Sequence, residues 1–224
     1  MSSQGGARLV YQNAKNTLIR NGINPARAVL SQSYLRFEAN LTTAQTQYAF
    51  DILVNDNTNP AFVTRQPLNL QDAFITSSIG MFIGVPQTTT ATTEARVKLY
   101  TYPDVTTFTA TNATNALALY NGTLSLTVNQ RVIVPVWDAM RHYKAPIMQT
   151  GFVPNPVTAG NISNSEDFSN DGFYAVEPNI VLVGSKKNQL VLNLPQALAS
   201  VPATGARVVM IFRGLLCQNV TSVN

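Results

Sequence analysis

The sequence predicts an all-β protein, one β-sandwich preceded by a short N-terminal helical arm. Three observations carry that expectation. The segment Phe173–Cys217 holds three apolar runs of strand length, FYAVEPNIVLVG, QLVLNLP and ARVVMIFRGLLC, divided by the turn-forming SKKN and a short spacer. The last run is apolar on both faces, as strands in the middle of a sandwich or barrel are. From Ala28 onward the apolar residues recur with period two, the spacing of a half-buried strand. Clusters of Pro, Gly, Asn and Thr punctuate these runs at short intervals, which is turn chemistry between strands. With 224 residues the chain is long enough for one large β domain and a substantial core.

Residues 1–27 form the arm and residues 28–224 the sandwich. Within the arm, residues 7–20 (ARLVYQNAKNTLIR) give the one good helical pattern: Leu9, Val10, Leu18 and Ile19 share a stripe, with Arg8, Lys15 and Arg20 elsewhere. Asn21-Gly22 stops the helix and Pro25 follows. Charged residues make up only 12% of the chain and the net charge is +4. The excess is local. Residues 1–37 carry Arg8, Lys15, Arg20, Arg27 and Arg36 without an acid, leaving ten basic and eleven acidic residues in the rest. Such an arm offers an electrostatic footprint to nucleic acid or another acidic surface. A solvated basic helix face is the simpler explanation.

The strands follow in order. Leu35, Phe37, Ala39 and Leu41 line one face against Tyr34, Arg36 and Glu38, and Tyr48, Phe50, Ile52 and Val54 repeat the pattern before an NDNTNP turn. Further strands are expected near 62–70, 78–85 and 95–102, with the Thr run 88–93 as an exposed loop. ALALY–NG–TLSLTV reads as a hairpin on a type I′ turn at Asn121-Gly122, pairing Leu119 with Leu124 and Leu117 with Leu126. A strand at 131–136 and the segment WDAMRHYK precede a Pro/Gly/Asn-rich loop from about 149 to 172. A loop of that length usually serves binding or subunit contact. In the C-terminal fifth, a loop Gly184–Asn188 puts Ile180 and Leu182 on the side of Leu190 and Leu192, while Val181, Val183 and Val191 make the opposite side apolar too. That second side needs cover from a loop, the arm or another subunit.

Tests for chemistry return little. On a helix Asp138 and His142 would lie four apart and could form an acid/base pair, but His142 is the only histidine. There is no nucleophile elbow, dinucleotide fingerprint or P-loop. Residues 166–172 include Asp167, Ser169, Asp171 and Gly172, the first half of a calcium loop, yet Pro178 stands where the bidentate acid is required. Cys217 ends an apolar strand as a small buried hydrophobe and excludes an internal disulfide. Arg207 and Arg213 share a strand face with Val209 and Ile211 and are candidates for subunit contacts or, equally, for ends of a core strand that reach solvent. No catalytic, cofactor or metal residue is assigned, and no enzymatic activity is expected. No apolar run is long enough for a membrane helix, and the start lacks the apolar core of a signal peptide. A soluble protein made in the cytoplasm is expected.

A basic arm with one helix, a single sandwich, long Thr/Asn/Pro loops, low charge and no catalytic set together resemble a virus shell protein. The nearest class is the jelly-roll or related β-sandwich capsid proteins, of the kind found in bacteriophage virions. The resemblance is architectural and covers the whole chain. It implies a jelly-roll fold, self-assembly in many copies, contacts with other virion proteins, and a virion location after synthesis in the host cytoplasm. It also implies an inward arm making weak, non-specific nucleic-acid contact through Arg8, Lys15, Arg20 and Arg27. A surface rich in hydroxyls and amides suits such contacts, because these groups cost less to desolvate than charges. The alternative expectation is a carbohydrate- or cell-surface-binding sandwich using the long loop with Trp137, Tyr143 and Tyr174.

Overall fold

The computed structural model describes residues 3–26, 28–52, 66–86, 97–103, 108–144 and 172–222. Helix α1 (Ser3–Arg20) leads into β1 (Ile23–Asn24), β2 (Val29–Asn40), β3 (Gln47–Asp51), β4 (Ala73–Pro86) and β5 (Val97–Tyr100). Helix α2 (Ala110–Tyr120), β6 (Thr123–Val128), β7 (Arg131–Asp138) and a 3-10 turn (Ala139–His142) follow. The chain continues through β8 (Phe173–Val183), β9 (Asn188–Asn193), β10 (Arg207–Gln218) and β11 (Thr221–Ser222).

Two antiparallel sheets carry the fold. One has the order β2-β10-β4, with the far side of β4 shared between β8, along Ala73–Gly80, and β5, along Ile83–Pro86. The other has the order β3-β9-β6-β7. Counting only the eight main strands, the first pairs with the eighth, the second with the seventh, the third with the sixth and the fourth with the fifth. Such nesting results when one long antiparallel hairpin wraps around a barrel, and it defines the jelly roll. The short pair β1–β11 extends the same nesting outward, Ile23 opposite Ser222.

The core lies between the sheets. Leu35, Phe37, Ala39 and Leu41 are buried on one face of the first sheet, and Tyr48, Phe50 and Ile52 on the second, as the alternation predicts. Ile180 and Leu182 meet Leu190 and Leu192 in this interior. They do so from opposite sheets, because the 184–187 connection crosses between sheets and does not make a hairpin.

The opposite face of the first sheet carries a second cluster. Ala73, Ile75, Val181 and Cys217 pack against Ala14 and Leu18 of α1 and Ile23 of β1. The arm is therefore the cover for Val181 and Val183 of β8, whereas Val191, expected on the same side, stands on β9 of the other sheet, away from the arm. The helical stripe is narrower than its sequence pattern: Leu18 is fully buried, whereas Ile19 is 60% exposed.

One predicted element is replaced. Residues 110–120 are helical, and Asn121 is the cap of α2, not a hairpin residue. Thr109 caps the helix start by accepting from Asn112 N–H. Ala113, Ala116, Leu119 and Tyr120 bury one helical stripe against the sandwich core. Ala and Leu favour the helix intrinsically, and β6 finds its partners in β7 and β9 instead. The two-residue turn with positive φ does exist, one strand later. Asn129 (φ 50°) and Gln130 (φ 63°) join β6 to β7. Of the other expected strands, 78–85 lies inside β4, the described part of 95–102 includes β5, and in 62–70 Gln66 forms a bridge to Arg36, while 62–65 and 95–96 lie outside the described residues. Val54, the NDNTNP turn, the Thr run and residues 149–171 lie outside the described residues.

Candidate functional site

The segment with the most chemical promise in the sequence is built for structure. Asp138 turns its carboxylate onto Met140 N–H at 2.9 Å and caps the 3-10 turn. His142 is fully buried beneath that turn. Trp137 donates its indole N–H to His142 Nε2 at 3.0 Å, and Nδ1 lies 3.1 Å from the carbonyl oxygen of Gly172. A carbonyl only accepts, so the neutral ring carries its proton on Nδ1. Burial lowers the His142 pKa to about 4, against the raising effect of the Gly172 bond, with Arg141 lowering it further. Both nitrogens are committed, and the acid/base pair with Asp138 does not form.

Outside the buried histidine, three side chains come together that the sequence separates. The Trp137 and Tyr174 rings meet edge to face, 5.3 Å apart at 86°. The Arg141 guanidinium lies 5.0 Å from the first ring centroid and 5.1 Å from the second, within cation–π range of both. Tyr143 instead packs edge-on against Tyr120. Trp137 and Tyr174 are visible in sequence as candidate recognition rings. Arg141 is not, because its role depends on the turn that brings it over β8.

Of the basic arm, Lys15 and Arg20 are exposed on α1, Arg8 lies in the same helix, and Arg27 is outside the described residues. Arg207 and Arg213 separate sharply. Arg207 is completely buried within one chain, its Nη1 2.7 Å from Glu38 Oε2. Arg36 Nε holds the other carboxylate oxygen at 2.7 Å. As a subunit contact Arg207 is therefore corrected to an internal residue. Arg213 is exposed, with its guanidinium 3.5 Å from the centroid of Phe173.

Arg213 and Arg36 also border a groove of about 1060 Å³ on the arm side of the first sheet. Tyr34, Ser78, Phe173 and Asn179 share its lining. Guanidinium, hydroxyl, amide and ring groups there suit recognition. Among the described residues that line it there is no carboxylate or imidazole beside a hydroxyl. Cys217 is no nucleophile either: burial, with a smaller effect of Asp72, pushes its thiol up to about 12. Among the described residues no group of three His, Cys, Asp or Glu side chains is placed to hold a metal. In the same residues no helix is long and apolar enough to cross a membrane. Asp167 and Asp171 of the acidic loop fall outside the described residues. Compared with known proteins, the chain matches no protein family, no curated protein and no solved structure.

Proposed function

We propose that this chain is a virion structural protein, a self-assembling capsid subunit of major or auxiliary type, without catalytic activity. The nested order of the eight main strands carries the reading, because the jelly roll is an architecture of virus shells, lectins and cupins. A fold alone does not choose among those. Two further features favour the shell. Charged residues are 12% of the chain, so large areas of surface can meet a neighbour at little desolvation cost. The arm has its basic Lys15 and Arg20 on an exposed helix, suited to weak, non-specific contact with packaged nucleic acid.

Negative-stain microscopy and sedimentation of the purified chain across protein and salt concentration test the reading. Closed shells or large regular oligomers, or stoichiometric presence in particles, are expected. A monomer under every condition, absent from particles, rejects it.

A second reading rests on the Trp137–Arg141–Tyr174 cluster, whose rings suit stacking against a sugar. In that case the chain is a carbohydrate- or cell-surface-binding sandwich. Glycan binding by the isolated monomer, lost on Trp137→Ala or Tyr174→Ala, distinguishes it.

A further inference from the structure

The buried His142 ring bridges two segments that lie far apart in sequence. Its Nε2 accepts from the Trp137 indole N–H at the end of β7, and its Nδ1–H donates to the Gly172 carbonyl oxygen at the entry to β8. The same two segments build the cluster outside it. Trp137 and Arg141 come from one, and Tyr174 from the other. Trp137 is half-buried, whereas Arg141 and Tyr174 are exposed. One internal ring therefore sets how two aromatic side chains and a guanidinium meet at the surface.

Only a neutral ring can do this. An imidazolium has two N–H donors and no acceptor. The bond to Gly172 survives protonation, because Nδ1 already carries its proton. The bond from Trp137 does not, since two N–H groups would then face each other at 3.0 Å. The new charge would also be held out of water beside the Arg141 cation. Burial is what keeps the ring neutral into the acid range, with a pKa of about 4; the Gly172 bond raises it, Arg141 lowers it and Asp138 raises it. Helix α2 and strands β4 and β8 pack against this turn. β4 has no titratable side chain, α2 has only Tyr120, whose hydroxyl donates to the Tyr100 carbonyl oxygen, and β8 has Tyr174 and Glu177. Lys144 follows the turn in the chain.

We infer that protonation of His142 dismantles the Trp137–Arg141–Tyr174 cluster while the sandwich stays folded, so that this face is an acid-operated switch. Protonation turns the acceptor that holds the indole into a donor that expels it. The turn Ala139–His142 is short, and the Asp138 side chain holds its first N–H groups. It can open and hydrate the cation without breaking the strand pairing of either sheet. Trp137 then leaves its place beside Arg141, and whatever this face binds at neutral pH is released in acid. The switch goes beyond both the shell and the glycan readings and depends on neither.

Trp137 is the only tryptophan and His142 the only histidine of the chain, so the native fluorophore reports the switch. Emission and acrylamide quenching of the full chain are followed from pH 7 to pH 3, with far-UV circular dichroism recorded in parallel. Quenching is expected to rise reversibly with a midpoint near pH 4, while the circular dichroism stays unchanged. His142→Gln keeps an acceptor for the indole and has no titrating ring, and its quenching is expected to stay flat. Arg141→Gln should move the midpoint up and Asp138→Asn should move it down, because the first removes a group that lowers the pKa and the second a group that raises it. These two shifts test the switch even if His142→Gln does not fold. A wild-type emission that does not respond to acid overturns the inference. So does the same transition in His142→Gln, or its loss in Asp138→Asn, either of which assigns the change to a carboxylate. Emission and circular dichroism that collapse together overturn it as well, since the fold would then be lost as a whole.

Discussion

Arg207 Nη1 lies 2.7 Å from Glu38 Oε2, and neither side chain has any exposed surface. The two residues stand on adjacent strands, Glu38 opposite Val209 and Arg207 opposite Asn40. The same carboxylate takes Arg36 Nε through its other oxygen. Such a cluster adds little to stability over a well-packed apolar set, but removing one member strands a charge in a poorly solvated site. Arg207→Ala is therefore expected to cost about 3–5 kcal/mol. A drop in the urea midpoint at an unchanged slope measures it. Glu38→Leu with Arg207→Met, which removes both charges of the buried contact, is expected to recover only part of the loss, because Arg36 then loses its carboxylate; adding Arg36→Met should recover more. A single variant that keeps the wild-type midpoint but loses assembly would return Arg207 to the contact role its sequence position suggested.

His142 gives the molecule a defined acid sensitivity. Its pKa is about 4 in the folded chain and about 6.5 when unfolded. The folded value is the lower one, so the unfolded state binds the proton first as pH falls. Stability from this site is complete above about pH 6.5 and is lost progressively as pH falls through about 4. The full effect is about 3 kcal/mol. Urea midpoints of wild type and His142→Gln, measured from pH 7 to pH 4, are expected to converge because only the wild type has the titrating ring. Parallel curves would mean that the imidazole takes up its proton in the folded chain as readily as in the unfolded one.

Leu18 and Cys217 test whether the arm stays on the sheet it covers. Both are fully buried in the cluster that also includes Ala14, Ile75 and Val181. Leu18→Asp puts a charge there and removes about 1.5–3 kcal/mol of apolar burial. The arm should open locally while the sandwich remains folded. At about tenfold per 1.4 kcal/mol, thiol labelling of Cys217 is expected to accelerate about ten- to a hundredfold. Unchanged labelling with an unchanged urea midpoint would show that something other than α1 covers the thiol.

These sites also show what can be read in one dimension. Leu35, Phe37, Ala39 and Leu41 were legible because a strand packed on one face must alternate. Val181 beside Leu182 was legible as a two-faced strand, and α1 is one of the covers that it calls for. The Glu38–Arg207 contact was not, because 169 residues separate its partners and a charge on a strand normally marks the solvent side. Tyr174 reaches Trp137 only because β8 and the turn after β7 come together in space. Strand order was hidden for the same reason, since every pairing that defines the nesting except β6–β7 joins distant segments. The resemblance named the jelly roll, but local pattern contained no pairings from which to derive it.

Residues 110–120 failed for a different reason: Ala116–Tyr120 alternates bulk like a strand and also supplies a helical stripe. Asn121-Gly122 then attracted the turn that Asn129-Gln130 in fact makes. Here the structure departs from turn chemistry. Gln130 adopts φ 63° with a side chain in place of the usual glycine, a conformation that costs an L-residue about 1–2 kcal/mol. Glycine removes that strain but loses about 0.5–1 kcal/mol through its freer unfolded chain. Gln130→Gly is therefore expected to raise stability, by up to about 1.5 kcal/mol. The gain should appear as a higher urea midpoint, with the spectrum of the folded state unchanged. Ala at the same position keeps the strain and should give no such gain. Equal effects of Gly and Ala would trace the change to the lost side chain and not to the backbone.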